Sequence, residues 1–145
     1  MCQSHKVACA CGRHSAEIFF GRMVLDESAI KGVYCPHCSN GLDLNRDDRA
    51  WDNGWVMELH MEVVRDRAPI MEMSPDRIDA DWVFDQGFAT WVGITPNEAE
   101  SRNRQRAEIV KLAAIDFPAY LQAMREWGIS RQKRFSNEGW RKMQR

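Results

Sequence analysis

The sequence predicts an α+β fold: an N-terminal zinc-ribbon β lobe, then a strand, then a mostly helical C-terminal half. Three observations carry this reading. Two close cysteine pairs, Cys9/Cys11 and Cys35/Cys38, bracket an apolar, β-prone stretch. From Val56 to Val64 apolar and polar residues alternate as in a half-buried strand. Beyond Thr95 the chain carries helix-capping residues and apolar side chains at helical spacing. The 145 residues suit one domain with an appendage at most. Residues 1–45 read as the zinc-ribbon lobe, and 46–145 as an α+β to helical region with a basic tail. The two form one compact unit.

Ser15 to Leu25 and Ile30 to Tyr34 are both β-prone, and together they predict a hairpin between the cysteine knuckles. Leu42 to Gly54 is polar and turn-rich, a link. In the Val56–Val64 strand, Met57, Leu59, Met61 and Val63 share one face, and Glu58, His60 and Glu62 share the other. Ser74 is placed to cap a helix with Pro75 in its first turn and Gly93 as a terminator. The aromatic content suits a strand equally, so 75–92 stays open between helix and strand.

Thr95 and Glu98 have capping-box spacing, with Pro96 in the first turn. Asn97 to Arg106 contains one apolar residue, Ala99, so that stretch belongs in water or on a partner. Ile109, Val110, Leu112, Ala113 and Ile115 are the expected anchors of the second half. Asp116 should cap the next helix, with Phe117, Leu121 and Met124 as its buried stripe. Gly128 is expected at the left-handed end position, with Ile129 folding back. The tail is basic and holds Phe135 and Trp140, with a short helix starting at Ser136.

The net charge of −1 hides a segregation. Residues 43–100 carry 14 acidic and 5 basic side chains, a net of −9, whereas 101–145 carry 11 basic and 4 acidic, a net of +7. Such asymmetry marks a nucleic-acid-binding tail, or two faces that meet within the protein or across an oligomer. No apolar run approaches the roughly 18 residues of a membrane span, and the first residues hold no signal-peptide core. Five cysteines with ligand-like spacing point to a reducing, cytoplasmic setting.

Cys9, Cys11, Cys35 and Cys38 are the expected metal ligands. Gly12 gives the first knuckle a permissive backbone, and Pro36 pre-sets the second. Four thiolates suit a structural Zn²⁺, because a catalytic zinc keeps one position open and mixes in histidine or carboxylate. An iron site of rubredoxin type uses a two-residue gap in both pairs, which Cys9/Cys11 lacks. Cys2, His5, His14 and His37 are spare donors, and whether His5, His14 or His37 enters the site is open.

Two other constellations bear on function. His60-x-Glu62 with a cysteine pair resembles the zinc-deaminase signature, but the order is reversed and Pro36 lies inside the pair. Glu58, His60 and Glu62 then read as a solvated strand face, with a second metal as the alternative. Arg102, Arg104, Arg106, Arg131, Lys133, Arg134, Arg141 and Lys142 interleave with Phe135 and Trp140, a pattern that suits phosphate contact and base stacking. No nucleophile–base arrangement, phosphate-binding glycine loop or carboxylate pair is legible, so no catalytic residue is assigned. Six tryptophans favour protein contacts.

"CACGRH" (Cys9 to His14) and "YCPHCS" (Tyr34 to Ser39) resemble the small zinc-binding subunit of ATP-dependent ketone carboxylases, the group of the acetone and acetophenone carboxylases. The inter-pair gap is shorter here, and Ser39 stands where a glycine is usual. The resemblance implies a subunit that positions larger subunits, which bind ATP and carry out the ligase-type carboxylation. The expectation is therefore a non-catalytic zinc-ribbon subunit, held by larger protein subunits in a hetero-oligomeric cytoplasmic complex. The alternative is a zinc-ribbon nucleic-acid-binding regulator using the basic C-terminal half. A stand-alone metalloenzyme ranks third.

Overall fold

The computed structural model describes residues 3–144, side chains at 99 and 100 apart. Two small antiparallel sheets are followed by a helical C-terminal half, the α+β arrangement expected. Strands β1 (Ser4–Ala8) and β2 (Ser15–Phe19) pair from Ser4↔Phe19 to Ala8↔Ser15, and β6 (Thr90–Trp91) extends the sheet beside β2. The second sheet has β5 (Trp55–Leu59) at its centre, between β3 (Ile30–Tyr34) and β4 (Arg49–Asp52).

The hairpin expected between the knuckles does not form. β2 and β3 sit in different sheets, because the chain from Phe20 to Ala29 makes two 3-10 turns and buries Val24 and Leu25 between them. Arg22 and Met23 both take positive φ (59° and 57°), which turns the chain away from a direct return.

The stretch read as a link contains β4, joined to β5 by a two-residue turn at Asn53 (φ 52°) and Gly54 (φ 95°). Positive φ at both positions is the turn that Asn-Gly favours, since its twist matches the flanking strands. The strand expected over Val56–Val64 ends at Leu59. His60 leads into α1 (Met61–Asp66), with α2 (Ala68–Met71) behind it. Met61, Val64, Ala68 and Met71 are the buried residues there, spaced 3, 4 and 3 apart, a helical period. The alternation that suggested a longer strand runs into it by coincidence of spacing. All five residues of β5 are buried, since a strand flanks it on each edge and the core covers it. Glu58 is therefore not on a solvated face: it is 2% exposed and paired with Arg49 (Nε to Oε2, 2.6 Å) and Lys31 (3.6 Å).

Residues 75–92 turn out to hold both kinds of structure: a 3-10 turn at Pro75–Arg77, helix α3 (Ala80–Asp85), then β6. Asp79 caps α3, its Oδ1 accepting the Trp82 N–H at 2.7 Å, whereas the Ser74 side chain caps nothing. One apolar core, running from Cys9 to Trp140, packs both sheets against α1–α3.

The C-terminal half is a helical hairpin: α4 (Glu98–Val110), a 3-10 turn, and α5 (Phe117–Glu138). Asp116 caps α5 as expected, accepting the Ala119 N–H at 3.2 Å. The Thr95/Glu98 capping box does not form. Helix α4 starts at Glu98, whose carboxylate accepts the Ile94 N–H and pairs with Arg131 at 2.8 Å. Gly128 does not end α5 either. The Arg131 guanidinium lies 5.0 Å from the ring centres of both Trp127 and Phe135, and that ladder carries the helix to Gly139, which takes the left-handed position (φ 82°). No short helix starts at Ser136, which lies inside α5; after Gly139 comes a 3-10 turn at Arg141–Met143. The stripe expected to be buried is largely in water: Phe117 is 57% and Leu121 53% exposed, as is the supposed anchor Ile115 at 83%.

The two charged halves meet inside the molecule. Arg141 reaches Asp81 (2.7 Å), Asp85 (2.8 Å) and the Trp51 carbonyl (3.0 Å), and Lys142 Nζ donates to the Trp91 carbonyl at 2.8 Å. Beneath them Asp52, 1% exposed, accepts the Trp91 Nε1–H at 2.8 Å and the Arg141 N–H at 3.0 Å. This carboxylate ties β4 to β6 and to the end of the chain. Asp52→Ala leaves two N–H donors without acceptors and should lower stability by about 2–4 kcal/mol in urea unfolding. Burial raises the Asp52 pKa above its ordinary value, against the pull of its two hydrogen bonds. The folded state then holds the proton more tightly than the unfolded chain, so this group's contribution worsens as pH rises from about 4. The stability of the native protein relative to Asp52→Asn should accordingly improve as pH is lowered from 7 toward 4.

Candidate metal centre

The first knuckle follows β1. The Cys9 N–H donates to the His14 carbonyl and the Gly12 N–H to the Cys9 carbonyl, both at 2.8 Å, which curls the chain around the sulfur. Gly12 takes φ 73°, as the permissive turn required. The second knuckle follows β3, and the Ser39 N–H donates to the Cys35 carbonyl at 2.8 Å. Ser39 Oγ also donates to the Gly54 carbonyl, fastening this knuckle to the β4–β5 turn. The two knuckles come together where β1 and β3 approach, at a bridge between Cys9 and Val33.

This brings the four expected cysteines into one cluster. Their Sγ atoms all lie within 4.8 Å of one another, with Cys11 and Cys35 sulfurs 3.9 Å apart. Cys9 and Cys35 are buried, Cys38 half-buried and Cys11 exposed. The Cys35 N–H donates to Cys9 Sγ at 3.1 Å, which favours a thiolate there. Burial opposes that charge, but the amides of Cys11 and Cys35 and the thiols of Cys38 and Cys11 outweigh it and bring the Cys9 pKa to about 7. The opposite happens at Cys38, where the hydrogen bond to Cys9 and burial push the thiol up to about 12. Four sulfurs this close cannot all ionise without a cation between them, and a thiophilic metal ion could supply that charge.

No histidine nitrogen belongs to the cluster. His14 is exposed with its ring edge-on to Trp55 (6.4 Å), His37 is exposed, and His5 lies 3.7 Å from Glu27. Cys2 lies outside the described residues. Glu58, His60 and Glu62 form no cluster of ligand atoms among the described residues, and Glu58 is buried and paired with Arg49. The four-cysteine cluster is the one group with metal-ligand proximity among the described residues.

No protein-family model, curated protein or solved structure matches the chain. Among the described residues no helix is long and apolar enough to cross a membrane.

The site should hold one metal ion per chain, and Cys9→Ser or Cys35→Ser should abolish stoichiometric binding in elemental analysis of the purified protein. Metal uptake displaces protons from the thiols, so affinity should fall as pH is lowered through about 7, where Cys9 reprotonates. Titration with a metal-sensitive chromophore at several pH values checks the slope.

Proposed function

We propose that the chain is a non-catalytic subunit of a larger cytoplasmic enzyme assembly and that its metal is a structural Zn²⁺. The observation that carries this reading is the closed ligand set of four sulfurs within 4.8 Å. A tetrahedron with Zn–S bonds of about 2.3 Å has S···S edges of about 3.8 Å, close to the 3.9 Å between Cys11 and Cys35. Such a shell leaves no position for water or substrate, and zinc in it folds the chain instead of doing chemistry. The knuckle residues Cys9 to His14 and Tyr34 to Ser39 resemble the small subunit of ATP-dependent ketone carboxylases, so a ligase of that class is the assembly proposed.

The nucleic-acid reading keeps less support. Phe135 and Trp140 are buried, Arg131 is bound to Glu98, and Arg141 to Asp81 and Asp85. Both aromatics and part of the cation set are thus used within the fold, leaving Arg102, Arg104, Arg106, Lys133 and Arg134 exposed.

The test is the mass and composition of the untagged native species from its source cells at moderate salt. Fixed-ratio association with large ATP-dependent subunits is expected, with carboxylase activity lost when Cys35→Ser replaces the native chain. A native species containing this chain alone would overturn the reading. Salt-sensitive DNA or RNA binding that vanishes in an Arg102, Arg104 and Arg106 to alanine variant would favour the alternative.

A further inference from the structure

We propose that the α4–α5 hairpin is a dimerisation arm, which packs against the same hairpin of a second copy to complete a four-helix bundle. Every side chain described from Asn97 to Arg134 is at least partly in water, and Phe135 alone of α5 is buried. Among the described residues, Phe135 is the one side chain of the hairpin that enters the apolar core, with Trp140 and Met143 following it just after α5. Two helices without a buried stripe have little to hold them in place, since helical stability in proteins comes mainly from packing an apolar face. The outer face of α5 supplies one: Phe117, Leu121 and Ile129 lie on the i, i+4 row with Arg125, and all three are exposed by more than half.

The pattern on that face selects a second copy as its occupant. Leu121 and Ile129 flank Arg125 and Glu126 along a groove of about 460 Å³ that also includes Gln122. Apolar, positive, negative, apolar is complementary to itself when the helix is reversed. An antiparallel neighbour sets Arg125 against the partner copy's Glu126 and Glu126 against its Arg125, with Leu121 and Ile129 packing on either side. Neither charge has an ion-pair partner within the chain among the described residues, although Gln122 donates to Glu126 at 3.1 Å. A two-fold axis repeats every contact, so one compatible pair counts twice.

Size and net charge agree. The 22 residues of α5 span about 33 Å and the 13 of α4 about 20 Å, each helix about 10 Å wide, a combined face of about 530 Å². Two such faces together bury about 1,060 Å², at the lower end of what a specific interface needs. Residues 98–138 hold 8 basic and 6 acidic side chains, a net of +2, so like-charge repulsion between two arms is small. Short-looped helical hairpins that pair in this way form an ordinary four-helix bundle. The dimer stands whether or not larger subunits join it.

Light scattering on the metal-loaded full chain at tens of micromolar should give twice 16.8 kDa. The Leu121→Glu, Ile129→Glu double variant should run at the single-chain mass with its metal content unchanged. If that variant fails to fold, charge swaps decide. Arg125→Glu should weaken the dimer by about 5–10-fold, and adding Glu126→Arg should restore it, because the reversed pair still matches itself. A single-chain mass for the native protein overturns the proposal, including the case in which the chain enlarges only with a different protein bound. So does a dimer that neither the apolar nor the charge variants disturb.

Discussion

Two sheets that share no strand meet at one corner, and four cysteine sulfurs fill it. Cys9 closes the strand that belongs to the first sheet, and Cys35 closes the strand that belongs to the second. Neither sheet has more than three strands, and three strands with one covered face are about the minimum for independent stability. The cluster therefore does more than staple a loop: it joins the ends of strands that belong to different sheets. The apolar core from Ile18 to Trp91 draws on both sheets. With the sulfurs uncompensated the corner is a source of repulsion and buried protons, and a cation bound there would remove both.

A second tie runs across the opposite side, where the chain closes on itself. The Asp52 carboxylate takes one N–H from the Trp91 indole and one from the Arg141 backbone, so the last turn is anchored to both sheets at once. Arg141 then spreads over Asp81, Asp85 and the face of Phe84 (5.2 Å to the ring centre). The acidic middle and basic end of the sequence are in part the two halves of this closure. Charge segregation along a chain is thus poor evidence for an external polyanion until the fold shows which charges have been spent internally.

What the sequence disclosed and what it withheld separate by range. The knuckles, the Asp116 cap and the helical C-terminal half rest on residues close in the chain, where local chemistry decides. Strand pairing does not: nothing in Ser15 to Tyr34 says that β2 and β3 enter different sheets, because their partners β6 and β5 lie far along the chain. The Asn53-Gly54 turn was a local signal and was there to be read; it announces the β4–β5 hairpin directly. Val56 to Val64 misled because two periods overlap at His60, the strand ending just as a 3, 4, 3 spacing begins. Gly128 misled because glycine permits a helix end without compelling one, and the Trp127–Arg131–Phe135 ladder outweighed its weak preference for leaving the helix.

The remaining misfit between sequence and fold is the exposure of the C-terminal hairpin, and it has a different cause. Phe117, Leu121 and Met124 have the spacing of a core stripe, which is why the sequence predicts their burial, yet Phe117 and Leu121 are more than half exposed, as is Ile129 beyond them. The body has no room for them: its core is complete with Phe135 and Trp140, and α5 leaves it one turn earlier. Apolar spacing along a helix states which side chains could share a buried face; whether they do depends on a surface to receive them, which the body of this chain does not offer to Phe117 and Leu121.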